Sequence, residues 1–273
     1  GYYRSKFDVK VVGVTGSVGK TTTKDMIALV VAQKYKTLKT QGNHNNEIGM
    51  PQTLFGLDSS YEAAVIEMGM SHQGEISRMS MSCQPDVAVI TNIGISHIEN
   101  LGTQENILKA KLEILDGAAY DAPLILCRDD KLLAGVQLHS DRKVYYYSVS
   151  KKDCDVYASG VKTVDNSITF TINYEGGKIA AQINCLGEHN VKNALAAFCV
   201  GLALDIPPED IVKGIAQFKP EGLRQNVTVI DGVTYIVDCY NAAPDSMKAS
   251  LSVLSQAQAE GKRICVLGDM LEL

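Results

Sequence analysis

The chain has 273 residues, of which 45% are hydrophobic, and it carries a formal net charge of −5. This length allows one large or two medium-sized domains with a substantial core. The charges are mixed and form no long basic run, and no run of residues is long and apolar enough to span a bilayer, so we expect no nucleic-acid partner and no membrane insertion.

Cysteine usage bears on the compartment in which the protein works. None of the seven cysteines forms a C-x-x-C pair, and several lie within apolar runs. We therefore expect free, buried thiols in a reducing, cytoplasmic environment, with neither disulfide bonds nor a zinc site. The seven are Cys83, Cys127, Cys154, Cys185, Cys199, Cys239 and Cys265.

The first predicted element is the apolar strand Val9–Val14, which runs into a glycine-rich loop and then into a helix that begins near Thr21. A loop of this kind turns backbone N–H groups and a helix N-terminus toward a phosphate chain. The residues that we expect to cradle phosphates are Gly16, Ser17, Val18, Gly19, Lys20, Thr21 and Thr22.

Two side chains of this loop carry most of its expected chemistry. Lys20 would reach the β- and γ-phosphates, and the Thr21 hydroxyl would bind Mg²⁺. The standard pattern has a glycine five residues before Gly19, where this chain has Val14. An ordinary glycine-rich turn is the alternative, but the strand, the Gly-Lys-Thr sequence and the helix together favour nucleotide binding.

Apolar strands continue to alternate with helical segments up to about residue 135. Further strands are predicted at Ala63–Ile66, Val87–Thr91 and Leu124–Cys127, and another helix begins near Thr103. This alternation predicts an α/β fold in which helices cover a mostly parallel sheet.

Residues 143–186 have a different character, because strand-like runs follow one another there without helices between them. The turn pairs Asp165-Asn166 and Gly176-Gly177 join the last three runs, which predicts a small antiparallel β subdomain. The runs are Val144–Val149, Val156–Val164, Ser167–Tyr174 and Lys178–Cys185.

Helical patterns return at Asn190–Leu204 and after Pro207, and a domain boundary is then predicted near Lys219–Gly222. Residues 1–219 would form one domain and residues 220–273 the beginning of a second, Rossmann-like α/β domain. Its predicted elements are a hairpin of Val227–Ile230 and Thr234–Val237, a helix from Asp245 to about Ala259 that Gly261 ends, and a strand at Ile264–Leu267.

Three ionisable residues lie at or after predicted strand ends. Glu67 directly follows Ala63–Ile66, where a carboxylate beside a phosphate loop suits Mg²⁺; a solvated acid is the alternative. His97 comes shortly after the strand Val87–Thr91, and Lys111 lies on the helix that follows. From spacing alone, a hydrogen-bonded histidine and a solvated lysine are the default interpretations of these two.

Two polar segments are rich in asparagine, namely Gly42–Pro51 and Gly187–Asn193. Asparagine amides donate and accept hydrogen bonds, so they can read the edge of a purine. A turn-rich loop is the alternative for the first segment, and a helix start near Asn190 is the alternative for the second.

In their order along nearly the whole chain, these motifs resemble the Mur ligase family. The motif Asp238–Met247 is most similar to members of the family that add D-alanyl-D-alanine to UDP-N-acetylmuramoyl-tripeptide. Cys239 and Ala243 stand where the family usually has serine and asparagine. Both departures lie in the loop around Asp238 and bear on its local binding geometry. The matching segments are Thr15–Lys24, Gly42–Pro51, Glu67–Gly69, Thr91–His97, Ala110–Glu113, Gly187–Asn193 and Asp238–Met247.

The resemblance implies a role for each candidate residue around the phosphates. Lys20 and Thr21 would bind phosphates and one Mg²⁺, with Glu67 as a further ligand of that ion. His97 and Lys111 would serve a second Mg²⁺, and the lysine at this position of the family is typically carbamylated.

The resemblance also implies how the rest of the nucleotide is bound. Asn46 and Asn193 would contact adenine, with Asn190 nearby. Arg224 would reach the γ-phosphate and Asp238 would hold the ribose hydroxyls. The expected catalytic residues are thus Lys20, His97, Lys111 and Arg224.

By this resemblance the chain is expected to belong to a monomeric, ATP-dependent amide ligase that acts through an acyl phosphate on small-molecule substrates, in peptidoglycan synthesis and hence in cell shape and division. It would hold the central ATP-binding domain and the beginning of the C-terminal domain, without the UDP-sugar domain, and would be inactive alone. The alternatives are a folylpolyglutamate or cyanophycin synthetase-like ligase, against which Asp238–Met247 argues, and a non-catalytic ATP-binding module.

Overall fold

The computed structural model describes residues 1–138, 141–164, 166–220, 222–257, 259 and 261–270. A large sheet in these residues has nine strands in the order β2-β3-β1-β4-β5-β6-β7-β8-β9, and β10 and β11 form a separate antiparallel pair. The strands are β1 (Lys10–Thr15), β2 (Thr37–Lys39), β3 (Ala63–Glu67), β4 (Val87–Ile90), β5 (Leu124–Cys127), β6 (Val144–Ser148), β7 (Val156–Val164), β8 (Ser167–Tyr174), β9 (Gly177–Ile183), β10 (Asn226–Ile230) and β11 (Val233–Val237).

Helices cover both the sheet and its ends. The longest is α7, most of whose residues are buried and which is rich in alanine and other small residues, so it can lie close to the sheet and to α1. The helices are α1 (Lys20–Val31), α2 (Gly49–Phe55), α3 (Glu75–Cys83), α4 (Ile98–Leu101), α5 (Gln104–Leu112), α6 (Lys131–Ala134), α7 (Glu188–Ala203), α8 (Pro208–Ala216) and α9 (Pro244–Gln256). None of them, in the described ranges, has the length and hydrophobicity required to cross a membrane.

The strand β1 lies at the centre of the parallel part of the sheet, between β3 and β4. Its residues Val11, Val12 and Val14 are fully buried, as expected for a strand covered on both faces. After β1 the chain forms β2 and β3 on one side of it and then β4 on the other. Such a reversal of strand order opens a crevice at the carboxyl ends of the strands, where ligands bind in folds of this type.

The expected α/β class, the mostly parallel sheet and the antiparallel strands are confirmed. The four predicted parallel strands pair as expected, and β7, β8 and β9 form an antiparallel meander. The preceding run, Val144–Val149, instead forms the parallel strand β6, because the crossover through α6 returns the chain in the direction of β5. The meander also continues the large sheet through the parallel β6–β7 pair.

Several boundaries and elements differ from the predictions. Ile264–Leu267 forms no strand, because no other described strand pairs with it, and Val266 is 95% exposed. The last helix, α9, ends at Gln256, before Ala259. The short strand β2 and the helices α2 and α3 were not predicted, since short elements give weak periodicity. Asp165 of one predicted turn and Glu221 of the predicted boundary lie outside the described residues.

Candidate functional site

The loop that follows β1 is braced by the end of the neighbouring strand β4. Asn92 accepts hydrogen bonds from Ser17 N through its backbone oxygen at 3.1 Å and from Val18 N through Oδ1 at 2.9 Å. The Val18 oxygen in turn accepts from Thr91 Oγ1 and from Asn92 Nδ2, both at 2.8 Å. These contacts hold the loop in one conformation, which is what a preformed phosphate site requires.

Two glycines of this loop adopt conformations that other residues rarely adopt. Gly16 has φ +148° and Gly19 has φ +82°. A Cβ on Gly16 would overlap the hydroxyl of Thr91, and a Cβ on Gly19 would lie 3.1 Å from Asn193 Oδ1. The loop therefore needs glycine at residue 16 both for its backbone angle and for its approach to β4.

Gly16→Ala is expected to weaken ATP binding by about tenfold or more, since strain of this size is worth 1–3 kcal/mol. Titration calorimetry with Mg-ATP would measure the effect. Gly102→Ala is the matched control, because Gly102 also has positive φ, at +78°, but nothing lies within 4 Å of its added Cβ. Equal losses in both variants would mean that the contact with Thr91 does not shape the loop.

Lys20, the first residue of α1, folds back over the loop that precedes it. Its Nζ donates hydrogen bonds to the backbone oxygens of Gly16 at 2.9 Å and of Ser17 at 3.2 Å. The ammonium is thus held at the mouth of the loop, where the charge of a phosphate group would meet it.

The Glu67 carboxylate lies at the end of β3 and is almost completely buried. Oε1 accepts hydrogen bonds from Thr21 Oγ1 at 3.2 Å and from Asn45 Nδ2 at 2.7 Å. Oε2 is also buried, but it has no hydrogen-bond partner among the described residues. A buried carboxylate oxygen without a partner is costly, so this arrangement fits a cation that binds Oε2.

This arrangement suits Mg²⁺ in particular. The described residues hold no cluster of three or more His, Cys, Asp or Glu side chains that could bind a metal. Mg²⁺ does not need such a cluster, because it is commonly held by one or two protein oxygens together with substrate phosphates and water. Thr21 and Glu67 provide two oxygens beside the phosphate loop.

Lys111 and His97 lie on the connection that follows β4. Lys111, on α5, is only 2% exposed, and burial, followed by the charge of Lys20, lowers its pKa well below the usual value for a lysine. The expectation of a solvated lysine from spacing alone is therefore wrong. His97 directly precedes α4 with φ +65°, in the left-handed region, and is half-buried.

The asparagines of α7 form a hydrogen-bonded network with neighbouring elements. Asn193 Oδ1 accepts from Thr23 Oγ1 at 3.1 Å, and its Nδ2 donates to Asn190 Oδ1 at 3.0 Å. Asn190 Nδ2 donates to Leu186 O at 2.7 Å and to Gln225 Oε1 at 2.9 Å. This network joins α7 to α1 and to the segment before β10.

Asn46 is not part of this network. It is exposed, and its Oδ1 accepts hydrogen bonds from the N–H groups of Ile48 and Gly49 at the start of α2. The structure thus brings Asn190 and Asn193 together but does not bring Asn46 to them. Its neighbour Asn45 makes the contact with Glu67.

A cavity of about 390 Å³ lies between the phosphate loop, the ends of β4–β6, the start of α7 and residues 218–249. Its volume is within the range of small-molecule sites. Predicted residues that line it are Val18, Gly19, Thr22, Asn190, Asn193, Arg224 and Asp238. Those that do not are Gly16, Ser17, Lys20, Thr21, Asn46, Glu67, His97 and Lys111.

Two neighbouring acids that line this cavity, Asp129 and Asp130, were not predicted. They come shortly after the end of β5, just as Glu67 lies at the end of β3. Asp130 Oδ1 caps α6, and its Oδ2 accepts from Ile93 N at 2.7 Å. Burial opposes ionisation of Asp129, but hydrogen bonds from Ser148 and the residues after it, and the charge of Lys192, lower its pKa. The strand-end signal that selected Glu67 could have found both.

Arg224 and Asp238 bound the cavity on its other side. The Arg224 guanidinium carbon lies 3.9 Å from the centre of the Tyr240 ring, which is a cation–π arrangement. One carboxylate oxygen of Asp238 accepts a hydrogen bond from Ser250 Oγ. The cavity therefore has an arginine and a carboxylate opposite the phosphate loop.

Comparison with protein families gives two matches. Residues 14–201 match the Mur ligase middle domain, and residues 223–273 match the glutamate ligase domain of Mur ligases. The chain is 43% identical over 272 residues to the UDP-N-acetylmuramoyl-tripeptide–D-alanyl-D-alanine ligase of Bacillus subtilis (strain 168), which covers 99% of this chain and 58% of that protein.

Solved structures agree with the sequence comparisons. A MurF crystal structure from Acinetobacter baumannii has a TM-score of 0.89 at 36% identity, covering 94% of this chain and 56% of that one. MurF from Thermotoga maritima in complex with ADP has a TM-score of 0.85 at 28% identity, covering 93% and 59%. The chain thus spans less than two thirds of the length of each of these proteins.

Proposed function

The chain belongs to the Mur ligase family, and from this premise we propose that its full-length gene product is an ATP-dependent ligase that adds D-alanyl-D-alanine to UDP-N-acetylmuramoyl-tripeptide. Peptidoglycan precursor synthesis in the cytoplasm is the corresponding process. The observation that carries the proposal is the buried Glu67 carboxylate, which lies beside a braced phosphate loop and keeps one oxygen without a partner.

In this proposal the phosphate loop binds the phosphates of ATP and the adjoining cavity takes its nucleoside. Backbone N–H groups of the loop and the Lys20 ammonium would meet the phosphates, and Arg224 would meet the γ-phosphate. Asn190 and Asn193 would border the adenine, and Asp238 would accept from the ribose hydroxyls. This part of the proposal is supported by four of these residues, which line one cavity: Asn190, Asn193, Arg224 and Asp238.

Thr21 and Glu67 would hold one Mg²⁺, and His97 and Lys111 a second. Mg²⁺ supplies charge neutralisation on the phosphates when it is bound. The low pKa of the buried Lys111 supports its carbamylation. A neutral amine attacks the carbon of CO₂ and loses a proton, and the product is an anionic carbamate with oxygen ligands in place of an ammonium.

The proposed reaction has two steps. The tripeptide carboxylate attacks the γ-phosphorus of ATP to give an acyl phosphate and ADP. The amine of D-alanyl-D-alanine then attacks the acyl carbon, loses a proton, and displaces inorganic phosphate. Lys20 and Arg224 would stabilise the charge on the transferred phosphoryl group, and closure of the site would keep water from the acyl phosphate.

We further propose that residues 1–219 act as the central ATP-binding domain and that residues 220–273 belong to the domain that presents the dipeptide. The two family matches, which end at residue 201 and begin at residue 223, support this division. The motif Asp238–Met247 and the 43% identity to a D-alanyl-D-alanine ligase favour this substrate over those of other amide ligases with the same fold.

The test is a phosphate-release assay on the full-length gene product, with mass spectrometry of the product. We expect phosphate release and a pentapeptide product only when ATP, UDP-N-acetylmuramoyl-tripeptide and D-alanyl-D-alanine are all present. L-alanyl-L-alanine and L-glutamate serve as matched acceptor controls. ATP binding without any amide product would favour the non-catalytic module, and product with glutamate would favour a polyglutamate-forming ligase.

A further inference from the structure

Gln225 has no role in the proposed reaction, yet its side chain joins two parts of the site. Its Oε1 accepts a hydrogen bond from Asn190 Nδ2 at 2.9 Å and lies 3.1 Å from His189 Nε2. Both partners belong to the first turn of α7, whereas Gln225 itself precedes β10. This one side chain therefore links the helix that borders the nucleotide cavity to the segment that carries Arg224.

The contact with Gln225 requires a proton on Nε2 of its partner His189. An amide oxygen can only accept, so His189 Nε2 must carry a proton to make the hydrogen bond. Burial lowers the pKa of His189, although Gln225 and the charge of Asp238 act in the opposite direction. The ring lies over Gly187, where a Cβ would overlap it. The imidazole is therefore held against Gln225, with the Nε2–H group as the donor.

The backbone of Gln225 adopts a conformation that must be compensated by its surroundings. Its φ is +48°, in the left-handed region that residues other than glycine rarely adopt. This conformation is unfavourable for a residue with a Cβ. The two hydrogen-bonding contacts to α7 stabilise the residue in it. Strain of this kind is commonly found where side chains are held for function.

The residue before Gln225 is the arginine of the cavity. Arg224 stacks over Tyr240, and the neighbouring Leu223 oxygen accepts a hydrogen bond from Cys239 N at 3.0 Å. Arg224 and Gln225 both line the cavity that Gly19 of the phosphate loop lines from the other side. The contact with α7 thus holds the residue that directly follows Arg224 in the chain.

We propose that Gln225 is a positioning residue that holds Arg224 toward the γ-phosphate of bound ATP by anchoring Leu223–Gln225 to the first turn of α7. This inference rests on the proposed function, since it needs ATP in the cavity. Gln225 acts through Arg224 and does not itself touch the reacting atoms. Its loss should therefore affect a nucleotide with a γ-phosphate more than one without.

The test compares ATP and ADP binding to the full-length gene product by titration calorimetry. Gln225→Leu should weaken ATP binding by about tenfold, in line with the loss of two part-buried hydrogen bonds, and ADP binding by less than about twofold. In an Arg224→Ala background, Gln225→Leu should cause no further loss of ATP affinity. Gln182→Leu, on the exposed face of β9, is the matched control and should change neither affinity.

Two outcomes would overturn the inference while ATP binding itself stands. One is an equal loss of ATP and ADP affinity in Gln225→Leu, which would indicate a merely structural role. The other is independent, additive losses in the double variant.

Amide hydrogen exchange of residues 222–227 without nucleotide provides a separate measurement. Faster exchange in Gln225→Leu than in the parent supports the anchoring even if the parent binds no ATP, in which case only the proposed function fails. Unchanged exchange overturns the anchoring.

Discussion

Lys20→Ala is expected to weaken Mg-ATP binding by about a hundredfold or more. The parent ammonium lies over the phosphate loop, 2.9 Å from Gly16 O and 3.2 Å from Ser17 O. A phosphate group at this place would receive charge-assisted hydrogen bonds worth about 1.5–3 kcal/mol each, and alanine provides none. Titration calorimetry at a fixed salt concentration measures the loss.

Two variants separate this effect from general effects of charge. Lys10→Ala removes an exposed lysine at the opposite end of β1 and should leave the affinity unchanged. Lys20→Arg keeps the charge but not the compact ammonium, so it should restore the affinity only in part. Thermal unfolding of each variant establishes that it is folded. Equal ATP affinity in Lys20→Ala and the parent would remove the loop from the proposed site.

Lys111→Ala should lower the proposed ligase activity of the full-length gene product by about a thousandfold or more, because the proposed carbamate would help to hold Mg²⁺ and would contribute several kcal/mol to such a reaction. A small carboxylate such as acetate could occupy the space that the lysine leaves and supply the missing oxygens. We therefore expect acetate to restore part of the activity in a concentration-dependent way. Phosphate release is the measurement.

Two further variants serve as controls for Lys111→Ala, one at another lysine of α5 and one at residue 111 itself. Lys109→Ala removes an exposed lysine of α5 and should retain activity. Lys111→Met should be inactive, without rescue by acetate, yet in the metal-free protein it should unfold at a higher temperature. The parent lysine has a pKa lowered from 10.5, so between 10.5 and that lowered pKa the folded state binds fewer protons than the unfolded chain. Its stability therefore falls as the pH falls through this window, and the loss persists at lower pH. Methionine removes this penalty. Lack of acetate rescue in Lys111→Ala would contradict the carbamate.

Local sequence was sufficient to predict the elements whose signals lie within a few residues. The apolar run before the phosphate loop, the positive-φ glycines within it and the helix after it are each set by short-range sterics, and β1, the loop and α1 follow the prediction. The paired glycines between β8 and β9 likewise predicted a hairpin. Ile264–Leu267 shows the limit, because an apolar run becomes a strand only when another strand pairs with it.

The sequence alone could not decide which of two chemically identical neighbouring residues makes a given contact. Asn45 and Asn46 have the same chemistry, yet Asn45 contacts Glu67 whereas Asn46 caps α2. The direction of the chain at that point decides between them, and it is set by packing of the loop against β3. For the same reason the role of Gln225, which depends on a turn with positive φ, has no sequence signal.

The sequence by itself determined the fold class, the position of the phosphate loop and, through the order of its motifs, the family. Only the tertiary structure decided that Thr21 meets Glu67, 46 residues away, and that Lys111 is buried near Lys20. The physical reason is that local patterns fix backbone conformation over a few residues. Burial, charge proximity and the partners of a carboxylate depend instead on which strand ends the sheet topology brings to the same edge.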